Sequence, residues 1–213
     1  MSAYKKFKEL RDVSEAGDYT RVRELLEAGA DPEGSSVLHW AASDGHNEEV
    51  KKILHEIADV NVKNKSGETA LHSAAWGGHN EVVKTLIQAE CDVDLKDKDG
   101  NTALMIAAMM AHDELVETMI QAKANVNERN NSGDTALTQA AVNGLTSTVM
   151  TLIAGNVDLK LKKGNGDTAL HDAAKEGQGA ILVCLMEAGA DPHVRNNDAK
   201  TPIEVARTDE IAG

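Results

Sequence analysis

The sequence predicts an all-α solenoid made of helix–turn–helix repeats of 33 residues, which are joined by β-turn fingers. The first observation is a series of threonines at intervals of 33 residues: Thr69, Thr102, Thr135, Thr168 and Thr201. The second is that a leucine follows two positions after each of the first four threonines, and an alanine pair begins five positions after it. A fixed period of this length indicates one supersecondary unit that is copied along the chain.

The composition supports this class and limits the function. Hydrophobic residues are 41% of the 213 residues but aromatic residues only 2%, so we expect a core of Ala, Leu, Ile, Val and Met. The formal net charge of −13 disfavours nucleic acid and anionic membranes as partners and favours a basic protein surface. No run of 18 apolar residues occurs, so no membrane insertion is expected.

The N-terminal residues 1–34 are predicted to form a capping repeat. Tyr4, Phe7, Leu10 and Val13 recur every third residue and give one apolar stripe on a helix, and no secretory signal precedes them. The connection at residues 31–36 is about five residues shorter than its equivalents, so the first finger should be a stub.

One repeat shows how each element is predicted. Gly67 supplies the positive φ of a tight turn, and Thr69 then caps a first helix that ends at Gly78. The first helix buries its leucine and alanine pair, and a second helix carries an apolar stripe: Leu71, Ala74, Ala75, then Val82, Val83, Leu86 and Ile87.

The same template divides the chain into one continuous domain. Within residues 35–200 it predicts five repeats, at about 35–66, 67–99, 100–132, 133–165 and 166–198. Residues 199–213 then begin a further first helix, with Pro202 at its first position, where the missing N–H costs nothing. This partial repeat is either a C-terminal cap or the beginning of a repeat in a longer protein.

The pattern resembles the ankyrin repeat, whose signature has the form D-x-x-G-x-T-P-L-H-x-A-A-x-x-G-H. Residues 67–79 match it best. The resemblance implies a curved stack with a concave groove lined by fingers and first helices. It also implies a non-enzymatic protein–protein interaction module, such as a scaffold, adaptor or inhibitor. The alternative is a regulatory or targeting domain of a larger enzyme or membrane protein.

Departures from the family pattern predict local strain. The glycine that usually ends the second helix is replaced by Ile57, Glu90, Lys123 and Asn156, and Ala199 replaces a turn glycine. A non-glycine residue at positive φ costs on the order of 1 kcal/mol. The family's histidine is kept at His39, His72 and His171 but becomes Met105, Thr138 and Glu204.

No group of residues predicts catalysis, a cofactor or a metal. His46, His79 and His112 recur every 33 residues, but at about 10 Å apart they are too distant to share a zinc ion at about 2.1 Å, so a structural role is favoured. Residues 163–167 are glycine-rich but lack the phosphate-loop pattern, which predicts a flexible turn. Cys91 and Cys184 lie three repeats apart, so we expect unpaired core residues in a reducing cytoplasm or nucleus.

The positions that the repeat leaves free predict the partner-binding surface. On each first helix these are the residue before the alanine pair and the two after it. They give an apolar strip with acidic flanks: Trp40, Trp76, Ile106, Met109, Met110 and Val142, flanked by Asp44, Asp99, Asp172 and Glu176. We expect a protein segment with apolar anchors and basic neighbours as the ligand, and a chain that is monomeric alone. The structural alternative is that the two methionines pack between helices and that Trp40 covers the stub finger.

The resemblance also points to asparagine modification. Asn61 and Asn127 lie in D-V-N and N-V-N contexts, which asparaginyl hydroxylases modify in members of the family.

Overall fold

The computed structural model describes residues 8–9, 12–13, 18, 20–21, 24–25, 37–56 and 59–211. Most of the predicted N-terminal cap, the shortened connection at residues 31–36 and Ile57 lie outside the described residues. The chain divides into two compact units, an N-terminal unit of Met1–Lys98 and a C-terminal unit of Asp99–Gly213. Each unit is built from the same helix pairs, and no strand occurs in the described residues.

In the N-terminal unit, two helix pairs pack side by side. The first helices α1 and α3 contact each other, and each contacts the second helix of its own pair. The helices are α1 (Val37–Ser43), α2 (Asn47–Glu56), α3 (Ala70–Gly77) and α4 (Asn80–Gln88).

In the C-terminal unit, three helix pairs and a further first helix follow the same scheme. First helices contact first helices, and second helices contact second helices. The helices are α5 (Ala103–Met109), α6 (Asp113–Gln121), α7 (Ala136–Val142), α8 (Thr146–Ala154), α9 (Ala169–Lys175), α10 (Gly179–Glu187) and α11 (Pro202–Ile211). None of the helices in the described ranges is long and apolar enough to cross a membrane.

The predicted core is confirmed. Leucines of the template position are almost inaccessible in both units, at 2% or less: Leu38, Leu71, Leu104, Leu137 and Leu170. The alanines beside them are also buried, which lets neighbouring helix backbones approach closely. The cysteine prediction is wrong in one respect, because Cys91 and Cys184 are half-buried rather than core residues. Both are free, and burial raises the pKa of Cys91 to about 11.

The repeated threonine directly precedes the first helices α3, α5, α7, α9 and α11, as predicted. Thr102 Oγ accepts a hydrogen bond from the Met105 N–H at 3.3 Å. The family's histidine lies three positions after the threonine and provides a further hydrogen-bond acceptor. The Thr69 N–H, for example, donates to His72 Nδ1 at 3.1 Å. Glu204 replaces that acceptor in the last repeat, because its Oε2 lies 2.8 Å from Thr201 N.

The predicted strained positions are confirmed within the described residues. Glu90, Lys123 and Asn156 have φ of 59°, 66° and 60° after their second helices, and Ala199 has φ of 59° in its finger. Ala111, with φ of 58°, was not anticipated. It follows a first helix at the place where other repeats have glycine.

Candidate partner-binding site

The three free positions of each first helix are not equivalent in the structure. The position before the alanine pair is half-buried in three repeats and buried in two: Trp40, Ser73 and Gln139, then Ile106 and Asp172. The two positions after the pair are mainly exposed, as shown by Trp76 at 43%, Met110 at 40% and Val142 at 36%. The exposed surface is therefore set by the C-terminal ends of the first helices.

Two predicted contact residues require correction. Ile106 is 2% exposed and Asp172 is 5% exposed, so neither side chain offers the surface that the sequence predicted. Both lie one turn inside a first helix, where adjacent elements cover them. Met109 is half-buried, which keeps the packing alternative open for this residue, whereas Asp44, Asp99 and Glu176 are exposed as expected.

The N-terminal unit contains a cleft of about 370 Å³ between α1, α3 and the finger that joins their repeats. We call it the tryptophan cleft. Its lining is His39, Trp40, Ser43, Asn64, Glu68, Ser73 and Trp76. Both tryptophans of the chain therefore border the same space, although they belong to different repeats.

Local hydrogen bonds hold the walls of the tryptophan cleft. His39 Nε2 donates to the Glu68 carbonyl oxygen at 2.9 Å and so ties α1 to the finger. Asn64 Nδ2 donates to Glu68 Oε2 at 2.8 Å, which orients the carboxylate. The Trp40 ring lies against His46 with 5.1 Å between ring centroids. These contacts fix the side chains before any ligand arrives.

The charge of the tryptophan cleft is acidic. Glu68 contributes a carboxylate to its wall, and none of the described residues that line it is a Lys or Arg. The face of an indole ring attracts Lys and Arg side chains at about 0.5–1 kcal/mol when exposed, and more when water is excluded. The cleft can therefore bind an apolar or a basic side chain.

In the C-terminal unit a shared lysine joins two carboxylates. Lys163 Nζ lies 3.0 Å from Asp134 Oδ1 and 3.3 Å from Asp172 Oδ1. Burial raises the pKa of Asp172 to about 6, although the Lys163 ammonium lowers it. Burial alone would lower the pKa of Lys163, but the two carboxylates together raise it.

Sequence analysis missed the role of Lys163, although a signal was present. Asn64, Asn130 and Asn196 stand at the equivalent place in other fingers, and Oδ1 of each accepts two backbone N–H bonds. A lysine side chain cannot accept a hydrogen bond, so Lys163 cannot replace these asparagines and must have another structural role. Residues 163–167 form a turn, as predicted, and Asn196 Nδ2 donates to the buried Asp167 at 2.7 Å.

His79, Asn61 and Asn127 connect neighbouring repeats. His79 Nε2 donates to the Ser43 carbonyl oxygen at 2.8 Å, which is the structural role that the sequence favoured. Asn61 Oδ1 accepts from the Asp92 N–H, and Asn127 Oδ1 from the Asp158 N–H, at 2.8 Å each. Their modification stays a prediction.

Known proteins share this repeat. A family model described as "Ankyrin repeats (3 copies)" matches residues 10–97, 38–130, 77–162 and 104–196. The ankyrin repeat domain of Bcl-3, described as a unique member of the IkappaB protein family, has a TM-score of 0.84 over 96% of this chain and 97% of its own. At 23% identity this likeness shows the fold alone.

A second solved structure is more similar in sequence. A chain in the complex of the Bd0816 predatory endopeptidase from Bdellovibrio bacteriovorus with immunity protein Bd3460 is 30% identical, with a TM-score of 0.73. The match covers 84% of this chain and 94% of that chain. No curated protein matches the sequence.

Proposed function

The chain belongs to the ankyrin-repeat family, and from this premise we propose that it is a protein-interaction module: a scaffold, adaptor or inhibitor. The fold is generally a non-enzymatic interaction module. The partner binds to surfaces formed by the ends of the first helices. Its docking segment carries apolar anchors together with Lys or Arg side chains.

The observation that carries the proposal is the tryptophan cleft. Trp76 is 43% exposed in a chain with only two tryptophans. The fold does not require a large side chain there, because the equivalent positions are Ser43, Met109, Val142 and Lys175. Tryptophan is enriched among the residues that dominate binding energy at protein interfaces.

The basic character of the docking segment follows from charge. Glu68 lies in the wall of the cleft, and the net charge of the chain is −13. An arginine would stack on an indole face and donate to the carboxylate, and its positive charge strengthens both contacts. Charge of this sign also raises the rate at which a basic partner arrives.

The C-terminal unit offers a second contact surface of the same kind. Met110 and Val142 are exposed at the ends of α5 and α7, and Met109 is half-buried beside them. Methionine adapts its shape to a partner because its side chain is unbranched and polarisable. We propose that this surface makes additional apolar contacts with the partner, whereas the tryptophan cleft binds its main anchor side chain.

A relative supports protein binding as the mode of action. The 30% identical chain comes from a structure of an endopeptidase in complex with an immunity protein. Association with another protein therefore has a precedent among similar chains, and this supports our proposal.

Affinity capture with quantitative mass spectrometry tests the proposal. The wild-type chain, Trp76→Ala, Trp40→Ala and Lys84→Gln serve as baits. Lys84 is an exposed second-helix residue and makes a matched surface control. We expect specific partners that are retained by Lys84→Gln and lost with either tryptophan variant. Partners captured equally by all four baits would contradict the proposed site.

A further inference from the structure

The outward face of the second helices changes character along the repeats. Lys51, Lys84, Glu117, Met150 and Val183 occupy the same place at intervals of 33 residues. In the N-terminal unit the two lysines pair with Glu48 and Glu81 at 2.7 and 2.9 Å. In the C-terminal unit Met150 is 57% exposed and Val183 50% exposed.

Exposed apolar residues lie on the neighbouring helices α8 and α10, and we call this group the second-helix patch. The two helices pack against each other, so residues at the same place lie roughly 10 Å apart. Met186 extends the patch on α10 at 45% exposure. The exposed members are Met150, Ala154, Ala180, Val183 and Met186.

The core does not account for the second-helix patch. Helix α8 buries Thr148, Val149 and Leu152, and α10 buries Ile181 and Leu185. Met150 and Val183 are at least half exposed and do not belong to this core. Exposed apolar residues that are grouped together and not needed by the core are typical of an interaction site.

The rim of the second-helix patch carries one sign of charge. Neither α8 nor α10 contains a Lys or Arg, and Glu187 ends α10. The neighbouring α6 adds the exposed Glu114 and Glu117 and has no cation, whereas its Asp113 accepts a hydrogen bond from the buried Thr148. The second helices of the C-terminal unit therefore combine exposed apolar residues with three exposed carboxylates.

We propose that the second-helix patch docks an amphipathic helix of another protein. The apolar side of that helix covers Met150, Val183 and Met186, and its Lys or Arg flanks face Glu117 and Glu187. A second copy of this chain would bring acidic rims together, and an anionic membrane would be repelled. The site uses second helices, so it is independent of the partner proposed for the tryptophan cleft.

The test uses a synthetic helical peptide and the full chain. The peptide has leucines at i, i+3, i+4 and i+7 and lysines on its flanks, and a second peptide has glutamates there instead. Methionine methyl resonances report the binding place, because Met150 and Met186 lie in the patch. We expect shifts at these two methyls with the lysine peptide only, and an affinity that falls with added salt.

Substitutions complete the test. Met150→Gln combined with Val183→Gln removes apolar contact without changing charge, and we expect the affinity to fall by about tenfold or more. Lys84→Gln is the control, because it changes the equivalent residue of the N-terminal unit, which lies outside the patch. It should leave the affinity for the lysine peptide unchanged.

Four results would overturn the proposal. They are absence of binding, equal binding of the glutamate peptide, methyl shifts at Met109 and Met110 alone, and a dimer in sedimentation equilibrium that Met150→Gln with Val183→Gln abolishes. The last result would assign the patch to a second copy.

Discussion

The two compact units share one backbone plan but differ at the positions that the plan leaves free. The N-terminal unit places Trp40 and Trp76 around an acidic cleft and covers its second helices with Lys–Glu pairs. The C-terminal unit joins Asp134, Lys163 and Asp172 instead and leaves Met150 and Val183 exposed. The repeated positions supply the core that both units share, whereas the two binding surfaces that we propose lie at positions that vary between the repeats.

The largest effect is expected at the buried leucines that both units share. Leu71→Ala and Leu137→Ala remove the same buried leucine, one in each unit, and should each lower the free energy of unfolding by about 2–5 kcal/mol. Urea denaturation followed by circular dichroism measures this. A loss below about 1 kcal/mol in one unit would show that the units do not share one core plan.

The next largest effect is expected at the glycines in the fingers of the two units. A Cβ at Gly166 would lie 2.5 Å from Asn197 N at φ of 84°, whereas at Gly67 it would lie 3.0 Å from Lys98 N at φ of 78°. We expect Gly166→Ala to cost about 2 kcal/mol or more and Gly67→Ala about 1 kcal/mol. Gly164→Ala meets nothing within 4 Å and serves as control. Equal thermal stability of all three variants would contradict the packing of the fingers.

The buried carboxylate of the C-terminal unit should give a pH dependence. The pKa of Asp172 is about 6 when folded, against an ordinary value of 3.8, so the folded state binds its proton more tightly. The resulting stability is present below about pH 4 and is lost as pH rises through about 6.

Asp172→Asn should therefore raise the free energy of unfolding by about 1 kcal/mol at pH 7.5 and leave it nearly unchanged at pH 3.5. Urea denaturation at both pH values measures this, with the exposed Asp44→Asn as control. Destabilisation by Asp172→Asn at pH 7.5 would mean that the ion pair with Lys163 outweighs burial.

The smallest effect concerns backbone strain, which both units carry. Glu90 in the N-terminal unit and Lys123 in the C-terminal unit have positive φ after a second helix. Glu90→Gly and Lys123→Gly should each stabilise the chain by about 0.5–1 kcal/mol. Differential scanning calorimetry would show a raised unfolding midpoint, and a lowered midpoint in either variant would argue against the strain.

The sequence predicted the repeated elements well because they depend on local chemistry. The periodic threonines gave the helix starts, and missing glycines located the strained residues Glu90, Lys123, Asn156 and Ala199. The candidate site was predicted less well. Periodicity assigns Ile106 and Met110 to the same face, but only packing shows that one is buried and the other exposed.

Two further features required the three-dimensional arrangement. Lys163 pairs with Asp134 in its own repeat and with Asp172 in the next. No local sequence pattern predicts these ion-pair distances or the burial of Asp172. In the sequence, the second-helix patch appears only as the change from Lys84 to Met150 at equivalent positions. Which residues lie beside Met150 depends on how the second helices pack against each other.

The affinity of Trp76→Ala for the captured partner, measured by calorimetry beside its unfolding free energy, shows whether Trp76 serves binding or the fold. We predict a dissociation constant at least tenfold higher than that of the wild type, with the unfolding free energy unchanged within about 0.5 kcal/mol. An unchanged dissociation constant together with a loss of about 2 kcal/mol or more in stability would contradict the binding role, because Trp76 would then belong to the fold.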